Sequence, residues 1–264
     1  MHYIVVDFEF NQAFSFHPDQ PAPTDPQMPC EIIQIGAVKL DESLQIVQEY
    51  NALVQPTLYQ KMHPKVQKLT GLSREMLKEQ PFFPAAYDDF VSFIGPTPAV
   101  LCSWGIDDIK SLFRNIYYHQ LDDGRITKNY LNLQAIAGAA LQPQTPGQSM
   151  GLQKAVELLA LPQERQFHDA LNDAYYTALV FQKTARPPLS VSLFQPSDLG
   201  PKKEPLTRPY FPALLEQMEK DLQRELTEEE SALVRKAYKM GRKKAFDIPM
   251  TRKKQAEKKK NPKA

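Results

Sequence analysis

The chain has 264 residues, of which 42% are hydrophobic, and this is enough apolar material for one sizeable core. No run approaches the roughly 18 consecutive apolar residues that a membrane-spanning helix needs, so we expect no membrane-embedded helix. No basic stretch followed by an apolar one opens the sequence, so we expect no signal segment and a cytoplasmic location. The two cysteines, Cys30 and Cys102, fit neither a metal-ligand spacing nor a disulfide framework, which agrees with a reducing compartment.

The net charge of +1 conceals an uneven distribution of charge. Residues 236–264 contain 12 Lys or Arg against two Asp or Glu, a net charge of +10, which leaves −9 for residues 1–235. A basic tail on an acidic body is typical of a chain that binds nucleic acid. A solubilising tail, or a docking segment for a protein partner, is the alternative.

The first third of the sequence predicts β-strands. Residues 3–10 are apolar and aromatic, residues 31–40 are rich in β-branched side chains, and residues 46–55 form a third candidate that ends before Pro56. Between the first two strands, residues 12–30 contain five prolines, which predicts a long loop because proline lacks the backbone donor.

Helical patterns dominate the middle of the sequence, with one further strand predicted at residues 97–102. Predicted helices cover residues 64–70, 73–79, 84–94, 106–120, 152–159 and 169–183. Strands first, and then strand alternating with helix, predict an α/β fold in which helices flank a mixed β-sheet.

The composition changes towards the C-terminus. Residues 185–209 are proline-rich and predict a stiff linker. Residues 210–246 predict a helical hairpin, whose second helix begins at Thr227 with Glu230 in the spacing of a capping box. Residues 247–264 predict a basic, disordered tail.

Two acids stand at the end of the first predicted strand. The period of two places Asp7 and Glu9 on one face, roughly 7 Å apart, at the end of the strand where ligand crevices open in α/β sheets. Two such carboxylates repel each other and are costly to desolvate, and a divalent cation that prefers oxygen ligands, Mg²⁺ or Mn²⁺, would offset both. The alternative is a strand that reaches the surface at Asp7, with both acids in solvent.

A second acidic segment begins the helix predicted at residues 106–120. The apolar stripe of that helix places Asp107 nearly opposite the core and Asp108 at the edge of the stripe, so Asp108 is the better candidate ligand. The alternative is that both are acids favoured by the dipole at a helix start.

The third segment surrounds the start of the helix predicted at residues 169–183. Asp173 lies on a largely apolar stripe, and Asp169 is predicted to cap the helix. His168 precedes it, and a histidine pKa of about 6.5 suits a general base that takes a proton from water. A capping or surface role is the alternative for His168.

In their order and spacing these segments resemble the three motifs of the DEDDh, or DnaQ-like, 3′→5′ exonucleases. The motifs are Asp-x-Glu on a first strand (Asp7 and Glu9), an aspartate on a helix after a later strand (Asp108), and His-x4-Asp (His168 and Asp173). The Asp-Phe-Glu start and the strand EIIQIGAV are most similar to the enhanced-RNAi-type branch and its bacterial relatives. The resemblance covers about residues 1–184.

The resemblance implies an RNase H-like fold and an exonuclease domain at residues 1–184. It implies a metal-dependent 3′→5′ exonuclease that releases nucleoside monophosphates from single-stranded nucleic acid, with RNA somewhat favoured over DNA. Two Mg²⁺ or Mn²⁺ ions would be held by four carboxylates, and a histidine would deprotonate the attacking water. These residues are Asp7, Glu9, Asp108 and Asp173 as metal ligands, and His168 as the base.

Two other functions remain as alternatives, and two departures from the family pattern bear on substrate binding. The alternatives are a non-catalytic nucleic-acid-binding or adaptor protein on the same fold, and a protein whose C-terminal hairpin and tail dock a partner. Asn11 stands where many members carry threonine, and the segment 12–30 is longer than in the simplest members. Neither departure removes an expected ligand. Phe14 is a candidate for stacking on a terminal base, whereas Phe8 and Phe10 are expected to pack in the core.

Overall fold

The computed structural model describes residues 1–15, 22–142, 144, 149–200 and 211–242. The described residues up to 200 form one compact unit, and residues 211–242 belong to a second.

A mixed β-sheet lies at the centre of the first unit, with six strands among the described residues. Its order, β3-β2-β1-β4-β5-β6, puts β1 near the middle, antiparallel to β2 and parallel to β4. The C-terminal ends of β1 and β4 therefore open at the same edge of the sheet. The strands are β1 (His2–Gln12), β2 (Cys30–Leu40), β3 (Ile46–Leu53), β4 (Ala99–Ser103), β5 (Asn129–Asn132) and β6 (Ser192–Leu193).

Helices cover both faces of this sheet. Side chains of α3 and α4 form one core with one face of β1, and side chains of α5 and α7 form a second core with the other face. The helices of the first unit are α1 (Pro64–Thr70), α2 (Arg74–Leu77), α3 (Phe83–Ile94), α4 (Asp107–Tyr118), α5 (Leu133–Leu141), α6 (Leu152–Leu158) and α7 (Ala170–Thr184).

The alternation along β1 explains its central position. Ile4 and Val6 are fully buried against α3 and α4, while Val5 is fully buried on the opposite face and Tyr3 packs edge-on against Phe181 of α7. A strand that is apolar on both faces can be accommodated only in the middle of a covered sheet. The predicted α/β fold, a mixed sheet flanked by helices, is confirmed.

The structure adds elements that the sequence patterns did not predict. Strand β5 and helix α5 lie between the predicted helices at residues 106–120 and 152–159. Strand β5 pairs with β4 and extends the sheet beyond it. Strand β5 has only four residues, too few for a period to be recognised.

Part of the segment predicted as a linker also belongs to the first unit. Strand β6 pairs with β5, and the next residue, Phe194, is fully buried with its ring stacked 4.2 Å from that of Phe113. A single aromatic residue among prolines and serines carries no periodicity, so composition alone did not reveal this anchor.

The second unit contains α8 (Phe211–Leu222) and α9 (Glu228–Arg242), which correspond to the two helices predicted for the hairpin. Both hydrogen bonds of the predicted capping box are present: Glu230 N–H donates to Thr227 Oγ1 (3.3 Å) and Thr227 N–H donates to Glu230 Oε2 (2.9 Å). The ring of Phe211 lies 5.2 Å from that of Tyr238 and holds the two helices together. The predicted basic tail, residues 247–264, lies outside the described residues.

None of the helices in the described ranges combines the length and the apolar character that a membrane crossing requires.

Candidate functional site

The C-terminal end of β1 carries the first part of the site. Asp7 and Glu9 lie on the same face of this strand and are half-buried. Their carboxylates are therefore neither enclosed in the core nor fully exposed to solvent. Asp7 lies opposite Gly36 of β2, and Glu9 lies opposite Gln34. The neighbouring strands thus fix the positions of both acids.

The start of α7 carries the second part. Asp169 caps this helix by accepting a hydrogen bond from Asn172 N–H at 3.0 Å, as predicted, and Asp173 lies in its first turn. His168 just before the cap has φ = 65°, in the left-handed region, and its N–H donates to Asp173 Oδ2 at 3.2 Å. A non-glycine residue in this region is uncommon, and this backbone conformation directs the N–H of His168 to Asp173.

Three of the predicted ligands come together. One carboxylate oxygen from each of Asp7, Glu9 and Asp173 lies within 4.8 Å of the other two. Asp108, in the first turn of α4, is half-buried and is not part of this cluster, whereas its neighbour Asp107 is exposed. The helical geometry that favoured Asp108 over Asp107 therefore agrees with their burial.

The three carboxylates interact electrostatically with Asp108. Burial, followed by the negative charges of Asp108, Asp173 and Glu9, holds the pKa of Asp7 well above its ordinary range. Burial, followed by neighbouring carboxylates of which Asp173 is the first, raises the pKa of Glu9 to about 7. Each acid is therefore difficult to ionise while the others are charged.

The pKa values of the other two acids are also raised. Burial, and then the charges of Asp107 and Asp173, raises the pKa of Asp108 to about 7. Burial raises the pKa of Asp173 to about 6, and the hydrogen bond from the His168 backbone and the charge of its imidazole limit that rise. Four acids on β1, α4 and α7 therefore form a site with a high density of negative charge, which a bound cation would compensate.

The residues present fit a divalent cation. Oδ1 of Asp173 is buried and has no hydrogen-bond partner among the described residues, which is costly for a carboxylate oxygen. A cation bound between Asp7, Glu9 and Asp173 would supply that partner and would remove the mutual repulsion. Ligands that are all carboxylate oxygens suit Mg²⁺ or Mn²⁺.

The raised pKa values predict how stability depends on pH in the metal-free protein. In the unfolded chain these acids ionise near pH 4, whereas in the folded protein Glu9 and Asp108 ionise near pH 7. The folded state thus binds more protons between these values, so this cluster should make the free energy of unfolding fall as pH rises from about 4 to about 7. Saturating Mn²⁺ should reverse the trend. Denaturant unfolding in chelator and in Mn²⁺ at pH 5 and pH 8 tests this; a stability that rises with pH in chelator by the same amount as in Mn²⁺ would contradict it.

A close approach between β2 and α7 places Asp173 beside β1. A Cβ atom at Gly36 would lie only 2.0 Å from the carbonyl carbon of Ala170, the first residue of α7. Only glycine at this position allows the backbone of the helix to contact the strand so closely. Because Gly36 pairs directly with Asp7, the contact lies beside the acidic cluster, on the same face of the sheet.

A buried amide strengthens the same junction. Gln34 is 2% exposed, and its Nε2 donates to Asp169 Oδ2 (2.8 Å) and to Asn51 Oδ1 (3.0 Å). Its Oε1 accepts the N–H of Ala170 at 3.3 Å. One side chain thus joins β2 and β3 to the N-terminus of α7.

The loop before His168 is held by a second set of contacts. The guanidinium of Arg165 makes two hydrogen bonds to the Glu49 carboxylate (2.9 and 3.1 Å) and lies 3.7 Å from the centre of the Tyr175 ring. The hydroxyl of Tyr176 accepts the N–H of Arg165 (2.7 Å) and donates to its carbonyl (2.8 Å). The backbone that presents His168 is therefore fixed on both sides, although its imidazole is exposed and outside the carboxylate cluster.

Sequence reasoning identified the acids but not the residues that position them. The positioning residues act through contacts with residues far away in the chain, and they are Gly36, Gln34 and Arg165. The sequence around each of them gives no indication of these contacts. Asn11 had a signal, since it departs from the family pattern, and its role is described below.

The fold and the acidic cluster together define a nuclease of the RNase H-like architecture. The family model described as RNase_T, exonuclease, matches residues 4–181, and the chain therefore belongs to this exonuclease family. The predicted DEDDh, DnaQ-like relationship is confirmed. No curated protein sequence matches the chain significantly.

Solved structures show the same fold at low sequence identity. The nuclease domain of 3′hExo, a DEDDh family member bound to rAMP, has a TM-score of 0.60 and 18% identity over 74% of this chain and 96% of that domain. Cell-death related nuclease 4 (CRN-4) has a TM-score of 0.58 and 19% identity over 73% of this chain and 66% of that one. E. coli exonuclease I in complex with a dT13 oligonucleotide has a TM-score of 0.52 and 16% identity over 69% of this chain and 40% of that one.

Proposed function

We propose that this protein is a divalent-metal-dependent 3′→5′ exonuclease that removes nucleoside monophosphates from the end of single-stranded nucleic acid. The observation that carries the proposal is the cluster of Asp7, Glu9 and Asp173, with one buried oxygen lacking a partner in the described residues, at the open edge of the sheet. A non-catalytic protein would have no need to keep acids in a place where ionisation is so unfavourable.

The four acids would hold two Mg²⁺ or Mn²⁺ ions. Asp7, Glu9 and Asp173 would hold one, and Asp7 with Asp108 the other. When bound, the ions supply charge stabilisation for the attacking and leaving oxygens of the phosphodiester. The raised pKa values mean that protons must leave the carboxylates when the ions bind, so metal affinity should fall below about pH 7.

His168 is the proposed general base. Its imidazole is exposed and interacts electrostatically with Asp173, and its backbone is fixed by Asp173 and by the loop around Arg165. The imidazole takes a proton from the water as the new P–O bond forms. The bond from phosphorus to the O3′ of the preceding nucleotide breaks, and this oxygen takes up a proton from solvent. The products are a nucleoside 5′-monophosphate and a strand one nucleotide shorter.

RNA is proposed as the favoured substrate. Among the similar structures, the 3′hExo domain is bound to rAMP, and a second structure shows the recognition of a histone mRNA stem-loop by a 3′-exonuclease. E. coli exonuclease I is bound to a DNA oligonucleotide, so the same fold accepts both sugars. The preference for RNA therefore rests on resemblance and not on a contact to a 2′-hydroxyl.

A panel of labelled substrates tests the proposal. Single-stranded RNA, single-stranded DNA and a blunt duplex of one sequence, labelled at the 5′ end, are incubated with Mn²⁺ or with chelator, and the Asp7→Ala protein serves as the control. A ladder of single-nucleotide steps that needs Mn²⁺ and is fastest on single-stranded RNA is the expected result. Internal cuts would indicate an endonuclease, and tight binding without cleavage would support the adaptor alternative.

Replacing His168 with Asn is expected to lower kcat by about 10²- to 10⁴-fold, the usual contribution of a general base. Asparagine is chosen because it tolerates the left-handed conformation at this position, so the backbone hydrogen bond to Asp173 should persist. The side chain is exposed, so the midpoint of thermal unfolding and its rise with Mn²⁺ should match those of the unsubstituted protein. A normal kcat would remove His168 as the base.

A further inference from the structure

A groove of two adjoining cavities lies past the end of β1, the strand that carries Asp7 and Glu9. The larger has a volume of about 320 Å³ and is lined by Ala13 and Phe14, which follow β1, by Pro23, by residues 58–61 and by Arg74. The smaller has a volume of about 110 Å³ and shares Gln60 and Arg74 with the larger. It extends to Lys78, the residue that follows α2. The larger volume is within the range of small-ligand sites.

The groove is held open by buried polar side chains. Asn11 is fully buried, and its Nδ2 donates to the carbonyls of Tyr59 (2.6 Å) and Lys61 (3.0 Å) while its Oδ1 accepts the N–H of His63 (2.9 Å). The carboxylate of Glu31, 3% exposed, accepts the backbone N–H groups of residues 57–59 at 2.6 to 2.9 Å. The loop at residues 57–63 is thus fixed to β1 and β2 without depending on a ligand.

The same scaffold includes the end of the long segment between β1 and β2. The hydroxyl of Tyr59 donates to the carbonyl of Met28 (2.6 Å) and accepts the N–H of Asp25 (2.9 Å). This bond pair explains how Pro23 comes to line the larger cavity. Both departures from the family pattern therefore contribute to the groove: the asparagine at position 11, and the longer segment 12–30 through its described residues 23–28.

The chemistry of the lining combines apolar and aromatic surface with two exposed cations, Lys61 and Arg74. Leu58 is 37% exposed, and the half-buried ring of Phe14 lies edge-on to His63 with 5.5 Å between ring centres. Lys61 and Arg74 are exposed, and neither forms a salt bridge with another residue in the described ranges. Flat apolar surface beside cations is the combination that single-stranded nucleic acid requires, with bases on the first and phosphates on the second.

We propose that this groove binds the single strand upstream of the scissile phosphodiester, its bases against Phe14 and Leu58 and its phosphates against Lys61 and Arg74. Ala13 follows Glu9 by four residues, so the groove begins roughly 13 Å from the cluster by the rise of an extended chain. A stacked strand advances about 3.4 Å per nucleotide, so substrates need about four nucleotides to reach it. The direction of the bound strand, with its 3′ end at the acidic cluster, rests on the proposed function. The experiment below tests the groove separately from that function.

The double variant Lys61→Ala/Arg74→Ala tests the groove, with Lys183→Ala as the matched control. Lys183 is exposed and lies ten residues beyond Asp173 on α7, about 15 Å along the helix. The substrates are a single-stranded 10-mer and a nucleoside 5′-monophosphate p-nitrophenyl ester. The ester is too short to extend from the acidic cluster into the groove. The double variant should lose at least about tenfold in kcat/KM on the 10-mer and less than twofold on the ester. The salt dependence of 10-mer binding should weaken by a slope of about 1.4, the value for two phosphates of a single strand.

The outcomes separate the groove from the proposed function. Equal losses on both substrates, or no loss on the 10-mer, would overturn the groove. If the unsubstituted protein hydrolyses neither substrate, the proposed function fails, and fluorescence anisotropy with 2-mer to 10-mer strands in chelator then decides the groove alone. A rise in affinity up to about four nucleotides that the double variant lacks would support it, and a length-independent affinity would overturn it. Equally tight binding of polyglutamate of the same charge would overturn its assignment to nucleic acid.

Discussion

Replacing Asp7 with Asn is expected to abolish hydrolysis and, in the same protein, to stabilise the metal-free fold above neutral pH. The loss of hydrolysis follows from two observations. Asp7 belongs to the carboxylate cluster, and among neighbouring charges that of Asp108 has the largest effect on its pKa. An amide cannot provide an anionic ligand, and the several kcal/mol of charge stabilisation that bound metal supplies would be lost. Since about 1.4 kcal/mol corresponds to tenfold in rate, kcat should fall by about 10³-fold or more.

The second effect has the opposite sign because the acid is costly in the folded state. Burial and the charges of Asp108, Asp173 and Glu9 hold the pKa of Asp7 well above its ordinary range, while the unfolded chain imposes no such cost. At pH 8 in chelator, the substitution should therefore increase the free energy of unfolding. At pH 5 the gain should be smaller, because the pKa of Asp7 is raised in the folded protein and its charge, which is the source of the cost, is less developed there than at pH 8.

Metal should invert the ranking of the two proteins. At a concentration 100 times its Kd, a ligand that binds only the folded state adds about 2.7 kcal/mol, and the substituted protein should forgo most of this. Urea unfolding at pH 5 and pH 8, in chelator and in Mn²⁺, gives all four comparisons. The control is Asp107→Asn, an exposed acid on the same helix as Asp108, which should leave kcat within about threefold. An Asp7→Asn protein that is active, or that is destabilised equally at both pH values in chelator, would refute the metal-site assignment.

This pairing of lost activity with gained stability also explains why the acids were visible in the sequence. A strand such as β1, apolar on both faces, has no structural use for Asp7 and Glu9 at its end, so the two residues conflict with their own local pattern. Asp108 was separable from Asp107 because the period of a helix is fixed and the stripe of Ile109, Leu112 and Ile116 defines its buried face.

The residues that the sequence did not reveal act over long separations. Gln34 contacts Asp169 from 135 positions away, and nothing within a few residues of Gln34 indicates that its amide will face a helix terminus. Phe194 packs on Phe113 from a segment that composition describes as linker. Asn11 was recognised as a departure, but its three hydrogen bonds to residues 59–63 depend on a loop whose path is set by Glu31. Local periodicity gives faces and elements, whereas these contacts depend on where separate elements meet.

The junction of β2 with α7 is the place where this dependence is strongest, and Gly36→Ala should damage both stability and activity. The added Cβ would lie 2.0 Å from the carbonyl carbon of Ala170 and 2.2 Å from the backbone N of Leu171. Backbone atoms cannot rotate away as a side chain can, so the start of α7 must move. Overpacking of this kind usually costs about 1–3 kcal/mol of stability.

The displacement should reach the chemistry because α7 begins at the site. Asp173 and the backbone of His168 are fixed to the first turn of this helix, and Asp7 stays in place on β1 opposite the substituted position. A shift of about 1 Å between groups that must hold the same ions can cost about 10²-fold in rate. We therefore expect kcat to fall by at least about 10²-fold and the Mn²⁺ concentration for half-maximal activity to rise, at a temperature where the protein is still fully folded.

Gly151→Ala is the matched control, since a Cβ atom there meets nothing within 4 Å and the residue has φ = −68°, which any amino acid can adopt. It should leave kcat unchanged and lower the midpoint of unfolding only slightly, since Gly151 is the N-cap of α6 and alanine is a less favourable N-cap than glycine. Circular dichroism and thermal unfolding establish that the Gly36→Ala protein is folded before its activity is compared. If that protein is less stable but fully active with an unchanged Mn²⁺ requirement, the close approach of α7 to β2 only stabilises the fold and does not position Asp173. If it is as stable as the unsubstituted protein, the backbone contact itself is wrong, because no arrangement of Ala170 and Leu171 at these distances leaves room for a methyl group.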